Sequence, residues 1–518
     1  MAKRYLLGID KGTSVIKAGL LDLNGNEVAM HHQRTPALHG RPGWHEEDME
    51  GTWQVAHHTI ATLMSKSTVE PDEIAAVGIS GHMTGAWLID DQGKPVRNAI
   101  CWPDGRSIDL LMRWEHEGIL ERFFDISGNA ATTGMTLVVL RWLKENEPQS
   151  LERARFVLCA KDWIRFKLTG EIHSDESDAS HMPGDIRQRS YSGQLLDLCG
   201  LADYEYLFPP LLPSTAVVGG VLPDAAQATG LAPGTPVVVG IGDAVANSIG
   251  TGLLNEGQAA SVLGTSFMNI AVSLNPILKP PNVGFEMAMV EGKWIRVLPN
   301  YGGGTLNLDW FIRNFCNSQA EVAKARGTSI FSVLEEEAAG APLGSNGVIY
   351  HPYLNTTGVI APFNNPTARG QFFGLSVQNT HHDLLHAVYE GVALSMLDCY
   401  QAIQVPIKEI RLTGGGAQCA LWCQIISDCI GARLLIPSGR ESGVMGAAIT
   451  AGVGVELYPD FQTAVDQNVQ IVKEFVPDET ATAAYREIYG LYKKLREDLG
   501  VHWRLRDSIY RTLEQRGS

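Results

Sequence analysis

A chain of 518 residues, 45% hydrophobic and 19% charged, is well past the size at which one hydrophobic core stops growing, so two large domains are the starting expectation. A formal charge of −16 and a pI near 5.4 argue against a nucleic-acid polymer as partner, which needs a basic face, but not against one small nucleotide held by a few N–H groups, hydroxyls and a metal. No run approaches the roughly 18 apolar residues of a membrane span, MAKRYLLGID lacks a signal-peptide pattern, and eight scattered cysteines fit reduced thiols, so the expectation is a cytoplasmic protein without a membrane partner.

Residues 8–22, GIDKGTSVIKAGLLD, join two apolar runs through Gly12, Thr13 and Ser14 and predict a hairpin. Gly12 permits close approach of a ligand, Thr13 and Ser14 offer hydroxyls and N–H groups to anionic oxygens, and Asp10 sits where it could hold Mg²⁺. An ordinary hairpin with a polar turn has the same pattern. Residues 41–50, RPGWHEEDME, read as a loop entering a helix with an acidic first turn, Trp44 serving either to stack on substrate or to plug the surface. A strand over 73–79 ends in Ser80-Gly81-His82-Met83-Thr84-Gly85, a ligand-facing type of turn. In CWPDGR, Asp104 and Arg106 stand beside Trp102, the set that binds sugar hydroxyls and C–H faces; a capping Asp paired with a surface Arg is the other reading. Helical segments follow at 107–116 and 137–145, and Lys161-Asp162-Trp163 comes after 151–158. The DESDAS turn at 175–180 is expected to carry solvated or capping carboxylates. In PVVVGIGDAVANSIGTG, a buried strand and Gly240-Ile241-Gly242 present Asp243 at a strand's C-terminal edge, suited to catalysis and to helix capping alike.

Residues 252–258 read as a crossover, giving domains 1–252 and 253–518. Directly after it, residues 261–272 repeat the strand, Gly-Thr-Ser, strand pattern, with Gly264, Thr265 and Ser266 echoing Gly12, Thr13 and Ser14. A duplicated fold with two turns clamping a polyphosphate across a cleft is the implication. Residues 301–305 form a glycine-rich loop before a helix over 306–315, 342–366 an extended surface segment, and 382–400 a long helix. A strand over 410–412, then Gly414, Gly415, Gly416 and Ala417, then a helix over 419–430 form a nucleotide-binding arrangement. Cys419 and Cys423 read as core rather than a metal site. The small-residue helix from 441 is expected beneath the nucleotide loop, and 479–516 as a helical cover of the second domain.

In this order the segments resemble the FGGY carbohydrate kinases, which share a two-domain architecture with actin and hexokinase, over about nine tenths of the chain. The C-terminal signature is carried by Gly370, Phe372, Gly374, Leu375, Asp383, Leu384, Ala387, Val388, Tyr389 and Glu390. The second signature, around Gly134, Thr136 and Trp142, departs at Val139, where many members have Lys. The resemblance implies an α/β fold of two actin-like (ribonuclease H-like) domains around a central ATP/sugar cleft. It implies Asp10 as the Mg²⁺-associated carboxylate, Thr13, Ser14, Gly264 and Thr265 at the phosphates, Gly415, Gly416 and Ala417 at adenosine, and Asp243 as base. His82, Met83, Thr84, Asp104 and Arg106 fall at the sugar. The turn departs from the G-Q-M-H-G that D-xylulose kinases resemble, and Ala244 follows the base where Asn or Gln is common. Residues 78–148 look closest to bacterial L-xylulose and related ketose or polyol kinases, so ATP-dependent phosphorylation of a terminal hydroxyl is expected, with erythritol or another tetritol as an alternative acceptor. An actin-like filament or nucleotide sensor is the reading from a different class, and a homodimer is left open.

Overall fold

The computed structural model describes residues 3–439 and 441–517. Met1, Ala2, Arg440 and Ser518, which fall within the two expected domains, lie outside the described residues. The chain divides into two compact units, Met1–Leu254 with Ser273–Ile295 and Ser438–Gln470, and Asn255–Val272 with Arg296–Pro437 and Ile471–Ser518.

In the first unit, β1 (Tyr5–Lys11) and β2 (Val15–Asp22) form the expected antiparallel hairpin, extended by β3 (Glu27–Arg34). Helix α1 (Met49–Lys66) follows, capped by Asp48, whose carboxylate accepts a bond from Glu50 N. Strand β4 (Ile74–Gly81) then lies parallel to β1, α2 (Ala160–Thr169) packs nearby, and β5 (Val217–Gly220), β6 (Pro236–Val238) and β7 (Ile241–Gly242) complete the sheet before α3 (Asp243–Gly250). The strand order is β5-β6-β4-β1-β2-β3, with β7 also on β4. Leu7, Ile9 and Ile16 of the hairpin pack with Ala56 and Ile60 of α1 and with Ile164 and Leu168 of α2. β1 and β4 read as near-continuous apolar runs because both faces of the sheet are covered.

The other face is covered by the helix Ser442–Gly454. Small residues let backbone meet backbone there: a Cβ on Gly8 would lie 2.1 Å from Val444 O, and one on Gly78 1.9 Å from Ala447 O. The sequence reading placed this helix beneath the triple-glycine loop; it belongs to the first unit, against β1, β4 and α3.

The second unit repeats the sheet pattern. β8 (Gln258–Leu263) and β9 (Phe267–Ser273) form the second hairpin, β10 (Lys293–Asn300) lies beside β9, β11 (Glu409–Thr413) runs parallel to β8, β12 (Arg433–Pro437) parallel to β11, and β13 (Ile471–Phe475) antiparallel to β12. In both units a hairpin strand meets two parallel strands and an antiparallel edge, as the repeated Gly-Thr-Ser pattern implied. Helices α4 (His381–Ile403) and α5 (Ala420–Ile430) pack on this sheet and α6 (Glu479–Gly517) packs on α5, α4 starting with a capping box between Thr380 and Asp383.

One segment differs from expectation. Residues 342–366 were read as surface, yet they contain the buried strand Ile349–His351, paired with Gln371–Phe373, and the buried Tyr350 and Tyr353. Tyr350 donates to Asn307 Oδ1, and Tyr353 packs edge-on to Trp503 of α6. Aromatic burial against distant elements outweighs a local composition rich in Gly, Pro and Asn.

Candidate active site

The parallel register of the first sheet builds the site. Asp10 pairs with Ser80 and Lys11 with Gly81 across β1 and β4, while Ile241 and Gly242 of β7 pair with the same Ser80 and Gly81. The C-terminal ends of three parallel strands therefore bring Asp10, the Ser80–Thr84 turn and Asp243 to one sheet edge, where α/β folds bind ligands.

Asp10 is nearly buried and accepts a bond from Ser80 Oγ at 2.8 Å through one oxygen. A Cβ on Gly443 would stand 2.7 Å from the other oxygen, so only glycine fits against the carboxylate there. Burial raises the Asp10 carboxyl above its ordinary value, against the Ser80 bond and the Lys17 charge. Asp243 is the first residue of α3, the capping position being Gly242; its carboxylate accepts from its neighbour Ala244 N at 2.7 Å. Burial, then the charge of Asp10, pushes its carboxyl up to about 7. Sequence alone cannot show one carboxylate placed within reach of another.

The turn after β4 is buried and strained. Thr84 has φ 68°, a left-handed conformation that costs a non-glycine residue about 1 kcal/mol or more. His82 is buried, neither ring nitrogen makes a hydrogen bond of good geometry, and Glu47 Oε1 lies 3.7 Å from its Nε2. Burial and then Lys11 hold its imidazole below the ordinary range. Met83 packs against Gly242, where a Cβ would fall 2.6 Å from its sulfur. Glu47 and Lys11 form a buried ion pair at 3.1 Å. Although burial raises Glu47, His82 and Lys11 bring its carboxyl down to about 2. Neither residue was singled out from sequence, because their pairing joins positions 36 apart.

Asp104 and Arg106 are tied together. Asp104 Oδ1 accepts from Arg106 N and Nε at 2.9 and 2.8 Å, and Oδ2 from His45 N and Arg106 Nη2 at 2.6 and 2.9 Å. The guanidinium also reaches Glu46 at 2.6 Å and lies 3.8 Å over the ring of Trp44, which so serves as its platform. Arg106 is therefore a buried cation rather than a surface one. Trp102 Nε1 donates to Thr13 Oγ1 at 2.8 Å, linking this loop to the Gly12–Ser14 turn, where Ser14 is exposed.

DESDAS is a correction. Asp175 and Asp178 are buried, not solvated, and face Lys161 at 3.0 and 2.9 Å, although Asp175 also caps Ser177 N. Lys161 supplies the buried charge that a turn read alone cannot reveal.

In the second unit, three loops meet around the end of β8. Gly304 N donates to Thr265 O at 3.2 Å and Thr305 N to Gly264 O at 2.7 Å. Gly414, with φ 91°, passes so close to β8 that a Cβ would lie 2.6 Å from Leu263 O. Gly415 is exposed, and a Cβ there would meet nothing within 4 Å. Gly415–Gln418, which includes Gly416 and Ala417, is a 3₁₀ turn, and α5 starts at Ala420 behind Cys419, whose sulfur accepts from Trp422 N, within one residue of the expected helix over 419–430. Cys423 is buried in the core, as expected.

Among the described residues, no helix is long and apolar enough to cross a membrane. The N-terminal-domain model of the FGGY family of carbohydrate kinases matches residues 5–250, and the C-terminal-domain model residues 259–455. The chain is 30% identical over 513 residues to an L-xylulose/3-keto-L-gulonate kinase of Escherichia coli (strain K12), covering 97% of this chain and 99% of that protein. It is 28% identical over 509 residues to an erythritol kinase of Brucella abortus (strain 2308), covering 96% and 97%. A crystal structure of xylulose kinase from Rhodospirillum rubrum superposes with a TM-score of 0.87 at 26% identity, over 97% of this chain and all of that one. With both domain models matched and the actin-like architecture repeated in each unit, the chain belongs to the FGGY family of carbohydrate kinases and is a carbohydrate kinase.

Proposed function

We propose that this kinase transfers the γ-phosphoryl group of ATP to a terminal hydroxyl of a small ketose, L-xylulose first, in the cytoplasm. The observation that carries the reading is the row formed by Asp10, the Ser80–Thr84 turn and Asp243 on adjoining parallel strands. The residues fit the absent groups: Asp10 is a buried carboxylate at the sheet edge beside Ser80, and Gly415 opens onto free space. Asp10 would hold Mg²⁺, whose charge offsets that of the phosphoryl oxygens in transfer. Thr13 and Ser14, with Gly264 and Thr265, offer N–H and hydroxyl groups to phosphates, and Gly415, Gly416 and Ala417 lie against adenosine. Residues 1–252 thus carry the acceptor site, the base and the metal-side groups Asp10, Thr13 and Ser14, and 253–518 the adenosine site.

Asp243 takes the proton of the acceptor hydroxyl as the oxygen bonds to phosphorus. His82 presents two buried nitrogens without good hydrogen bonds, which hydroxyls of a sugar would satisfy. Met83 and Thr84 shape the wall beside it. Arg106, held by Asp104 and Glu46, and Trp102 complete the pocket. Family membership sets aside the filament and sensor alternatives. All eight cysteines are free, consistent with a reducing compartment. A panel of L-xylulose, D-xylulose, 3-keto-L-gulonate and erythritol, assayed by ADP release, tests the substrate: highest kcat/KM with L-xylulose is expected, and a preference for erythritol would replace it with the tetritol.

Two variants separate the halves of the site. Gly415→Val should raise the ATP KM at least tenfold with little change in sugar KM or melting temperature, since its side chain displaces no protein atom. Unchanged ATP KM would move the nucleotide elsewhere. Asp104→Ala should raise the sugar KM about tenfold while the ATP KM holds, and lower stability by about 1–3 kcal/mol, because Arg106 loses a buried partner. A lowered melting temperature with unchanged sugar KM would confine Asp104 to holding its loop.

A further inference from the structure

Resting on the reading of Asp243 as base, we propose that a buried ionic cluster centred on Lys161 is a positioning device that sets where Asp243 stands. Lys161 Nζ lies 2.7 Å from Asp162, 3.0 Å from Asp175 and 2.9 Å from Asp178, and all four side chains are excluded from solvent. Two arms leave this cluster. Through the first, Arg165 Nη1 donates to Asp162 Oδ1 at 2.7 Å and to the backbone carbonyl of Val239 at 2.8 Å. Through the second, Ser177 Oγ donates to Asp175 Oδ2 and accepts from Gly242 N at 2.8 Å. The arms thus grip the backbone on both sides of Gly240, which has φ 86°, and the second grips the residue immediately before Asp243.

This grip answers a local need. β6 ends at Val238 and β7 contains only Ile241 and Gly242, so the ladder alone holds the base's strand by a few bonds. A turn containing a left-handed glycine has many alternatives. Burying two cations among three carboxylates is costly, and apolar packing would serve stability as well or better. Burial, together with Asp175 and Asp162, raises the Asp178 carboxyl. What apolar side chains cannot supply is a directed acceptor for Gly242 N–H and a directed donor to Val239 C=O. Neither arm bonds the Asp243 carboxylate, so the cluster acts through the backbone.

The test is a double-mutant cycle between Ser177→Ala and Asp243→Asn, with kcat and both KM values measured on folded protein. Loss of the Gly242 acceptor should lower kcat about tenfold in the wild-type background while the ATP KM stays within twofold, and should have no further effect in Asp243→Asn, where the base is already gone. Ser177→Cys keeps the volume but accepts weakly, and should give the same pattern if the alanine variant folds poorly. Ser177→Thr, which keeps the hydroxyl, should restore most of kcat. An equal fractional loss in both backgrounds, or an unchanged kcat in both Ser177→Ala and Ser177→Cys, overturns the positioning role. Full activity in Asp243→Asn alone would instead remove the base assignment, so the two failures are distinguishable.

Discussion

Asp243→Asn is expected to lower kcat by about 10²-fold or more with both KM values nearly unchanged, the usual scale for losing general-base assistance. The substitution keeps the shape and the acceptor for Ala244 N, so it removes only the proton-accepting charge. Because burial and Asp10 push this carboxyl up to about 7, kcat/KM of the wild type should climb with pH, flatten above about pH 8, and fall about tenfold for each unit below 7. Stability runs the other way. A carboxyl whose folded value is raised from 3.8 to about 7 binds its proton better folded than unfolded, so stability is lost as pH rises through 7. Asparagine carries no charge at any pH. The variant should therefore exceed the wild type by on the order of 2–4 kcal/mol at pH 8, a gap shrinking to nearly nothing by pH 4. Melting curves at the two pH values check this, and equal melting temperatures at pH 8 would mean that the carboxylate is not strained. Near-wild-type turnover would end the assignment of Asp243 as base.

The second large effect lies in packing. Gly446→Val is expected to abolish folding of the first unit, and Gly446→Ala to cost about 3 kcal/mol or more. A Cβ at 446 would stand 1.9 Å from Ala246 O on α3, and one on Gly250 would stand 1.9 Å from Ser442 O, so the two helices touch backbone to backbone at both ends of their contact. Neither backbone can retreat freely, since the Ser442–Gly454 helix also lies against Gly8 and Gly78 of the sheet. α3 carries Asp243, so whatever Gly446→Ala protein folds should also lose turnover. Gly490→Ala is the control: nothing lies within 4 Å of a Cβ on that α6 position, and the change should be neutral or slightly stabilising. Similar melting temperatures for Gly446→Ala and Gly490→Ala would contradict the close packing.

Local signals carried much of this protein. Apolar runs broken by Gly-Thr-Ser were enough for both hairpins, because turn chemistry and strand period act over a few residues. The strand that ends before Asp243, the loop entering α1, and the long helices α4 and α6 follow from equally short-range rules. The same reach explains the misses. DESDAS was read as solvated because its neighbours in sequence are polar, whereas its burial is fixed by Lys161. The segment 342–366 was read as surface from its glycines and prolines, whereas Tyr350 and Tyr353 are buried against distant side chains.

The sequence by itself determined the duplicated α/β plan, the identity of the acidic, hydroxyl and glycine groups suited to phosphoryl transfer, and the family to which they belong. Only the tertiary structure decided which of those groups are neighbours and in what ionic state. Lys11 with Glu47, Arg106 with Glu46 and Trp44, and Lys161 with Asp175 and Asp178 are each separated along the chain and meet through sheet register and helix packing. The physical reason is the range of the forces. Backbone propensity and turn formation act between adjacent residues and are legible in order, whereas burial and electrostatic coupling depend on three-dimensional distance, which raises Asp243 to about 7 and holds Glu47 at about 2.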